Sequence, residues 1–153
     1  MSINITFPDG AVKEFSEGIT ALEIAGQLSN SLAKKILGAE VNGEVWDATR
    51  PITKDATLKL LTWNDNTGKS SFWHSSAHLF AEAMEALYAG IKFGIGPPIE
   101  NGFYYDIDTG DTSITLADLP KIEKKMAELE AKNSEYIRKA ISKADDIDSL
   151  KEN

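Results

Sequence analysis

His74 and His78 are the only two histidines in the sequence. Four residues apart, they project from one side of a helix, one turn from each other. Imidazole changes charge near neutral pH, so such a pair can relay a proton, orient a water or ligate a metal. The spacing equally fits two surface side chains, or two that satisfy hydrogen bonds at a helix–sheet seam. Zinc takes three or four ligands, whereas this chain has no Cys and its carboxylates are not adjacent to the pair. No metal site is therefore expected in these residues. At about 100° per residue the pair falls on the flank of an apolar stripe, not at its centre, with Glu85 at nearly the same angle two turns beyond His78.

Gly96 to Tyr105 is the second segment of unusual chemistry. Gly96-Pro97-Pro98 makes a rigid loop, and Asn101-Gly102 turns the chain into an aromatic run. In a strand Phe103 and Tyr105 share one face and Tyr104 the other. A core strand with one exposed tyrosine explains the pattern without any function. Asp106, Asp108 and Asp111 hint at a calcium loop, but Gly110 and Ala117 stand where that loop needs an acidic or amide ligand and a Glu. Lys121, Glu123, Lys124, Lys125, Glu128 and Glu130 mix both signs and read as the solvated face of a helix.

These residues need elements to hold them. Residues 3–7 alternate apolar and polar like a half-buried strand. Pro8-Asp9-Gly10 is turn chemistry, and Ala11 to Phe15 is the returning strand. Thr20 and Glu23 stand in capping-box spacing ahead of a helix over 20–29, and a short helical turn is expected at Leu32 to Lys35. Asn42-Gly43 joins strands 36–41 and 44–47, Pro51 breaks the chain, and Thr57 to Thr62 closes the module. The order suits a β-grasp, a sheet wrapped on one helix. Asn64 to Lys69 reads as a linker. Trp73, Ala77, Phe80, Met84 and Leu87 then mark a helix over 71–89, stopped by Gly90. Strands are expected at 91–95 and 103–107, a helix from Leu119 to about 133 with Pro120 in its first turn, a further strand over 136–141, and the start of a helix over 146–150. The predicted fold class is α+β: a ubiquitin-like β-grasp over residues 1–62, a linker over 63–70, and an α+β unit over 71–153.

Composition narrows the class. The chain has 153 residues, 42% of them hydrophobic, and a net charge of −8. Residues 1–62 carry six basic and eight acidic side chains, net −2, and residues 63–153 carry ten and sixteen, net −6. Nucleic-acid binders concentrate Lys and Arg to displace phosphate counterions, so composition opposes tight RNA binding by these residues alone. No secretory signal or membrane-spanning run is read, and a cytoplasmic location is expected.

The segments Phe7-Pro8-Asp9-Gly10, Leu32-Ala33-Lys34-Lys35 and Val41-Asn42-Gly43-Glu44 resemble the TGS domain, a β-grasp module. His74-Ser75-Ser76-Ala77-His78-Leu79 followed by Phe93 to Asp106 resembles the start of the editing domain of bacterial-type threonyl-tRNA synthetases. The resemblance implies an amino-terminal piece of such an enzyme. The full-length enzyme would ligate threonine to tRNA(Thr) as a homodimer using ATP, magnesium and zinc, with those sites in other domains. This chain, expected to be monomeric, would bind no cofactor and would not aminoacylate. The resemblance assigns His74 and His78 to a site that hydrolyses mischarged seryl-tRNA, with Tyr105 near the substrate, and implies a completing Cys-x-x-x-His beyond Asn153. Two alternatives stay open: a TGS-type binding module without catalysis, and an editing hydrolase of the alanyl type. The absence of Cys excludes a complete form of the second within these residues.

Overall fold

A computed structural model describes residues 1–132; the strand expected over 136–141 and the helix start over 146–150 lie outside them. The first module is built on a hairpin. β1 (Ser2–Thr6) pairs antiparallel with β2 (Val12–Ser16). The Phe7 carbonyl accepts from the Gly10 amide at 2.9 Å, with Gly10 at φ 84°, and the Asp9 carboxylate accepts from the Ala11 amide. Glycine reaches that positive φ without a Cβ clash.

β3 (Ile19–Thr20) leads into α1 (Ala21–Leu28). The capping box forms as its spacing predicts: the Thr20 hydroxyl accepts from the Glu23 amide at 3.2 Å, and the Glu23 carboxylate accepts from the Thr20 amide at 2.9 Å. These bonds occupy two donors the helix cannot satisfy itself. The short turn predicted at Leu32 to Lys35 is α2 (Asn30–Ala33), two residues earlier, because Ser29 caps it. β4 (Gly38–Val41) and β5 (Glu44–Trp46) form the second hairpin, with Asn42 at φ 51° and Gly43 at φ 81°.

Pro51 does not break the chain as expected. Pro51–Ile52 is a short strand, β6, paired with β3. A two-residue strand at a sheet edge tolerates a residue with no N–H. β7 (Ala56–Leu61) completes a sheet of order β2-β1-β7-β4-β5, parallel between β1 and β7 and antiparallel elsewhere. Ile3, Ile5, Ile24, Val41, Ile52 and Leu58 are buried together between this sheet and α1. Each such side chain withdrawn from water contributes about 1.5–3 kcal/mol.

The stretch read as a linker is largely helical. α3 spans Asn66–Leu87, so residues 66–70 are its opening turn. Asp65 explains the early start. Its carboxylate accepts from the Thr62 amide at 3.0 Å and pairs with Lys59 at 2.9 Å, while its carbonyl accepts from the Lys69 amide. Gly68 then lies against the Thr62 backbone: a Cβ built there would stand 2.2 Å from the Thr62 carbonyl oxygen. The first module's core cluster nevertheless stops short of α3.

α3 buries Ala77, Ala83 and Met84, packing on α4 (Leu119–Ala131) and on two short strands, β9 (Pro98–Ile99) and β10 (Gly102–Phe103). α4 follows a turn of 3₁₀ helix over Leu116–Asp118, carries Pro120 in its first turn and buries Ile122 and Leu129. The two longer strands expected here are instead two pairs. β8 (Lys92–Phe93) pairs with β11 (Ile107–Asp108), and β9 pairs with β10. Glycine and proline between them interrupt any longer ladder. Among the described residues no helix is long and apolar enough to cross a membrane.

Candidate functional site

α3 brings the two histidines together. His74 Nε2 and His78 Nε2 stand 3.0 Å apart, with ring centroids at 4.7 Å. At that distance one ring donates an Nε2–H to the unprotonated Nε2 of the other, an arrangement that two protonated rings cannot make. Partial burial, and then the charge of His74, hold the His78 pKa below the ordinary histidine value. His78 therefore keeps an accepting nitrogen at pH values where a free imidazole would be protonated.

The pair is farther from the core than its reading as the flank of the apolar stripe suggests. Both imidazoles are exposed, as are Glu82 and Glu85 on the same side. By helix geometry His74 projects about 100°, and His78 about 140°, from the centre of the buried stripe. Among the described residues this face of α3 is exposed to water.

Tyr105 is held elsewhere. Its ring meets Phe80 at 6.4 Å and Phe93 at 5.5 Å between centroids, and it lies on the Gly96 backbone, where a Cβ would come within 2.4 Å of the ring. Phe80 projects about 160° from His78 around the helix, so the structure joins the two histidines to each other and anchors Tyr105 on the buried side. The predicted alternation holds: Phe103, like Tyr105, faces Phe80, at 5.8 Å, while Tyr104 is 55% exposed.

Other flagged residues have structural explanations. The Asp108 carboxylate accepts from the Gly110 amide and closes a turn. On α4, Lys125 pairs with Glu128 at 3.6 Å, and the Lys121 ammonium sits 5.3 Å over the Tyr88 ring. Among the described residues no three His, Cys, Asp or Glu side chains converge to hold a metal.

Sequence reading missed an aromatic cluster beside the site. Trp63, just past β7, meets Phe72 and Trp73 of α3 edge-on at 5.2 and 5.8 Å, and Lys69 lies 5.8 Å over Trp63. The Trp73 Nε1 is buried with no hydrogen-bond partner among the described residues. No single periodicity links a strand end to the next helix, so only the aromatic content of 63–73 could have signalled it.

Residues 3–62 match the family model for the TGS domain. The chain is 59% identical over 145 residues, 95% of its length, to a threonine--tRNA ligase of Cytophaga hutchinsonii. It is 59% identical over 143 residues, 94% of its length, to one of Parabacteroides distasonis. Identity to one of Flavobacterium psychrophilum is 42% over 151 residues, 99% of the chain. The chain spans only 22–23% of the length of these relatives.

Proposed function

We infer, from a TGS domain continuous with a region this similar to threonine--tRNA ligases, that the chain belongs to a ligase of that family, and that α3 contributes to hydrolysis of serine wrongly esterified to threonine tRNA. Serine lacks one methyl group of threonine. A methyl group discriminates by only about 1–3 kcal/mol, so accurate charging calls for a second, hydrolytic site. The observation that carries this reading is the pair of exposed imidazoles in Nε2···Nε2 contact, with His78 held toward its neutral form.

In this reading the ester carbonyl of the mischarged terminus lies over the exposed face of α3. A water, oriented by the neighbouring ribose hydroxyl, gives a proton to one imidazole as it attacks the carbonyl, and the second imidazole steadies that proton through the shared contact; the acyl C–O bond then breaks and the proton passes to the leaving ribose oxygen, releasing free serine and uncharged tRNA. Tyr105 acts from a distance, fixing the Gly96 loop and the Phe80 side of the helix. Amino-acid activation with ATP and magnesium, any zinc, and subunit pairing belong to the rest of the protein. The acidic balance of this chain accords with tRNA being held mainly by other parts.

Full-length ligase carrying His74→Ala tests the assignment. Threonine charging should stay within about twofold of the parent, while hydrolysis of seryl-tRNA(Thr) falls by about 10²–10⁴. Hydrolysis at the parental rate would remove the catalytic role.

A further inference from the structure

We propose that the outer edge of β2 is a docking site for an extended, lysine- or arginine-bearing segment of a partner protein, which adds as a further strand and fills the groove between β2 and α1. β2 ends the sheet order β2-β1-β7-β4-β5, and with five residues it is the longer of the two edges, since β5 has three. The register fixes what that edge offers. The Glu17 amide donates to the Met1 carbonyl and the Phe7 amide to the Ala11 carbonyl, so within this register Lys13 and Phe15 are the β2 residues that bond to β1. In an antiparallel pair the intervening residues turn their amides and carbonyls the other way. Val12, Glu14 and Ser16 therefore aim theirs outward, and all three residues are exposed. Among the described residues no strand pairs with this edge. Such a row of donors and acceptors is a template for strand addition.

The groove chooses the partner. Two contiguous hollows of about 620 and 360 Å³ run along the edge and share Ser16, Ile19 and Gln27. Phe15, packed against the core, and buried Ile19 give them an apolar floor. Gly26 of α1 lines the larger hollow without adding a side chain. Glu14, Glu17 and Glu23 stand along the walls, and no Lys or Arg lines either hollow. Side chains of an added strand alternate between two faces. Those on the α1 side meet Phe15 and Ile19, and those on the other side run beside Glu14. A segment alternating apolar and basic residues satisfies both. Two copies of β2 paired about Glu14 would set like charges opposite each other, which disfavours a second copy of this chain. The same carboxylates repel RNA phosphate.

A fluorescein-labelled peptide alternating lysine and valine is the probe, titrated into this chain by fluorescence anisotropy beside a glutamate–valine control. The lysine peptide should bind saturably, at least about tenfold more tightly than the control. It should shift the nuclear magnetic resonance amide signals of Val12, Glu14 and Ser16 most. Ser16→Pro removes one outward amide but no charge and no bond to β1, and should weaken the peptide roughly three- to tenfold, the worth of one hydrogen bond. Ser16→Ala keeps that amide and should bind like the parent. Glu14→Lys combined with Glu17→Lys should weaken the peptide by more than about tenfold. Circular dichroism and thermal melting check the fold of each variant, and the charge-reversed pair decides alone if Ser16→Pro does not fold. Binding that never saturates, amide shifts spread over the whole surface, or equal affinity for parent and folded variants overturns the docking site. A dimer in sedimentation that Ser16→Pro abolishes would assign the edge to a second copy and overturn the partner. Peptide binding to this chain but not to full-length ligase would mean that the ligase covers β2 itself, which overturns it equally.

Discussion

Alanine at Gly68 and at Gly26 should act in opposite directions. Both glycines lie inside helices, where alanine is normally better by about 0.8–1.0 kcal/mol. Gly26 in α1 has nothing within 4 Å of a built Cβ, so Gly26→Ala should gain most of that. At Gly68 the same Cβ would stand 2.2 Å from the Thr62 carbonyl oxygen and 3.0 Å from its carbon. Relief requires about 1 Å of movement between two backbones, since neither obstacle is the end of a flexible side chain. Forced overpacking of this kind costs about 1–3 kcal/mol, and the lifted helix also strains the Asp65 bonds to Thr62 and Lys59. The net expectation for Gly68→Ala is a loss of about 1–2 kcal/mol. For a chain of this size that is a fall of roughly 2–8 °C in Tm, against a rise of roughly 2–4 °C for Gly26→Ala. Thermal and urea unfolding of the two variants beside the parent measure both signs. A neutral or stabilising Gly68→Ala would show that α3 does not rest on the end of β7, and would refute the account of why the helix starts so early.

Thr20→Ala removes the α1 cap and should cost about 0.5–2 kcal/mol in urea unfolding. The Thr20 amide, and then its hydroxyl, hold the Glu23 carboxyl below its usual pKa. That stabilisation is present above the unfolded carboxyl pKa and is lost as pH falls through the depressed folded value, so Glu23→Gln should flatten the acid limb of a stability–pH curve. Gly96→Ala should destabilise by about 1–3 kcal/mol through the Tyr105 ring, and Tyr105→Ala should relieve it. A double-mutant cycle should return a coupling of about 0.5–3 kcal/mol, and simple additivity would mean the ring moves aside freely.

Local chemistry was legible and tertiary contact was not. The Thr20–Glu23 box and the Asn42-Gly43 turn follow from side chains acting on their own backbone, and both formed where their spacing placed them. The proximity of His74 and His78 was legible for the same reason, since i,i+4 is a property of the helix alone. Their exposure was not, because the depth of a helix face depends on what packs beneath it. Tyr105 meets Phe80 across two strand pairs and a Gly-Pro loop, and nothing in the composition of that interval states which side of α3 the ring will reach. The start of α3 was hidden because Asn64-Asp65-Asn66-Thr67-Gly68 has turn propensity. The contacts of Asp65 and Gly68 with Thr62 override it. The pairing of β3 with β6 was hidden because two-residue strands carry no periodicity.

The parallel register of β1 with β7 sets a timetable for synthesis. Ile5 pairs with Ala56, Thr6 with Thr57, and the Asn4 amide with the Asp55 carboxylate. A hairpin such as β1–β2 closes in about 1–10 μs. At about 5–20 residues per second, the ribosome takes several seconds more to deliver the strand that covers its other edge. Throughout that interval a nascent chain holds Ile3 and Ile5 on an open template, ready to pair with any extended segment that arrives first. The last strand of the module is thus the one that ends its exposure, and a ribosome stalled before residue 56 leaves the hairpin uncovered.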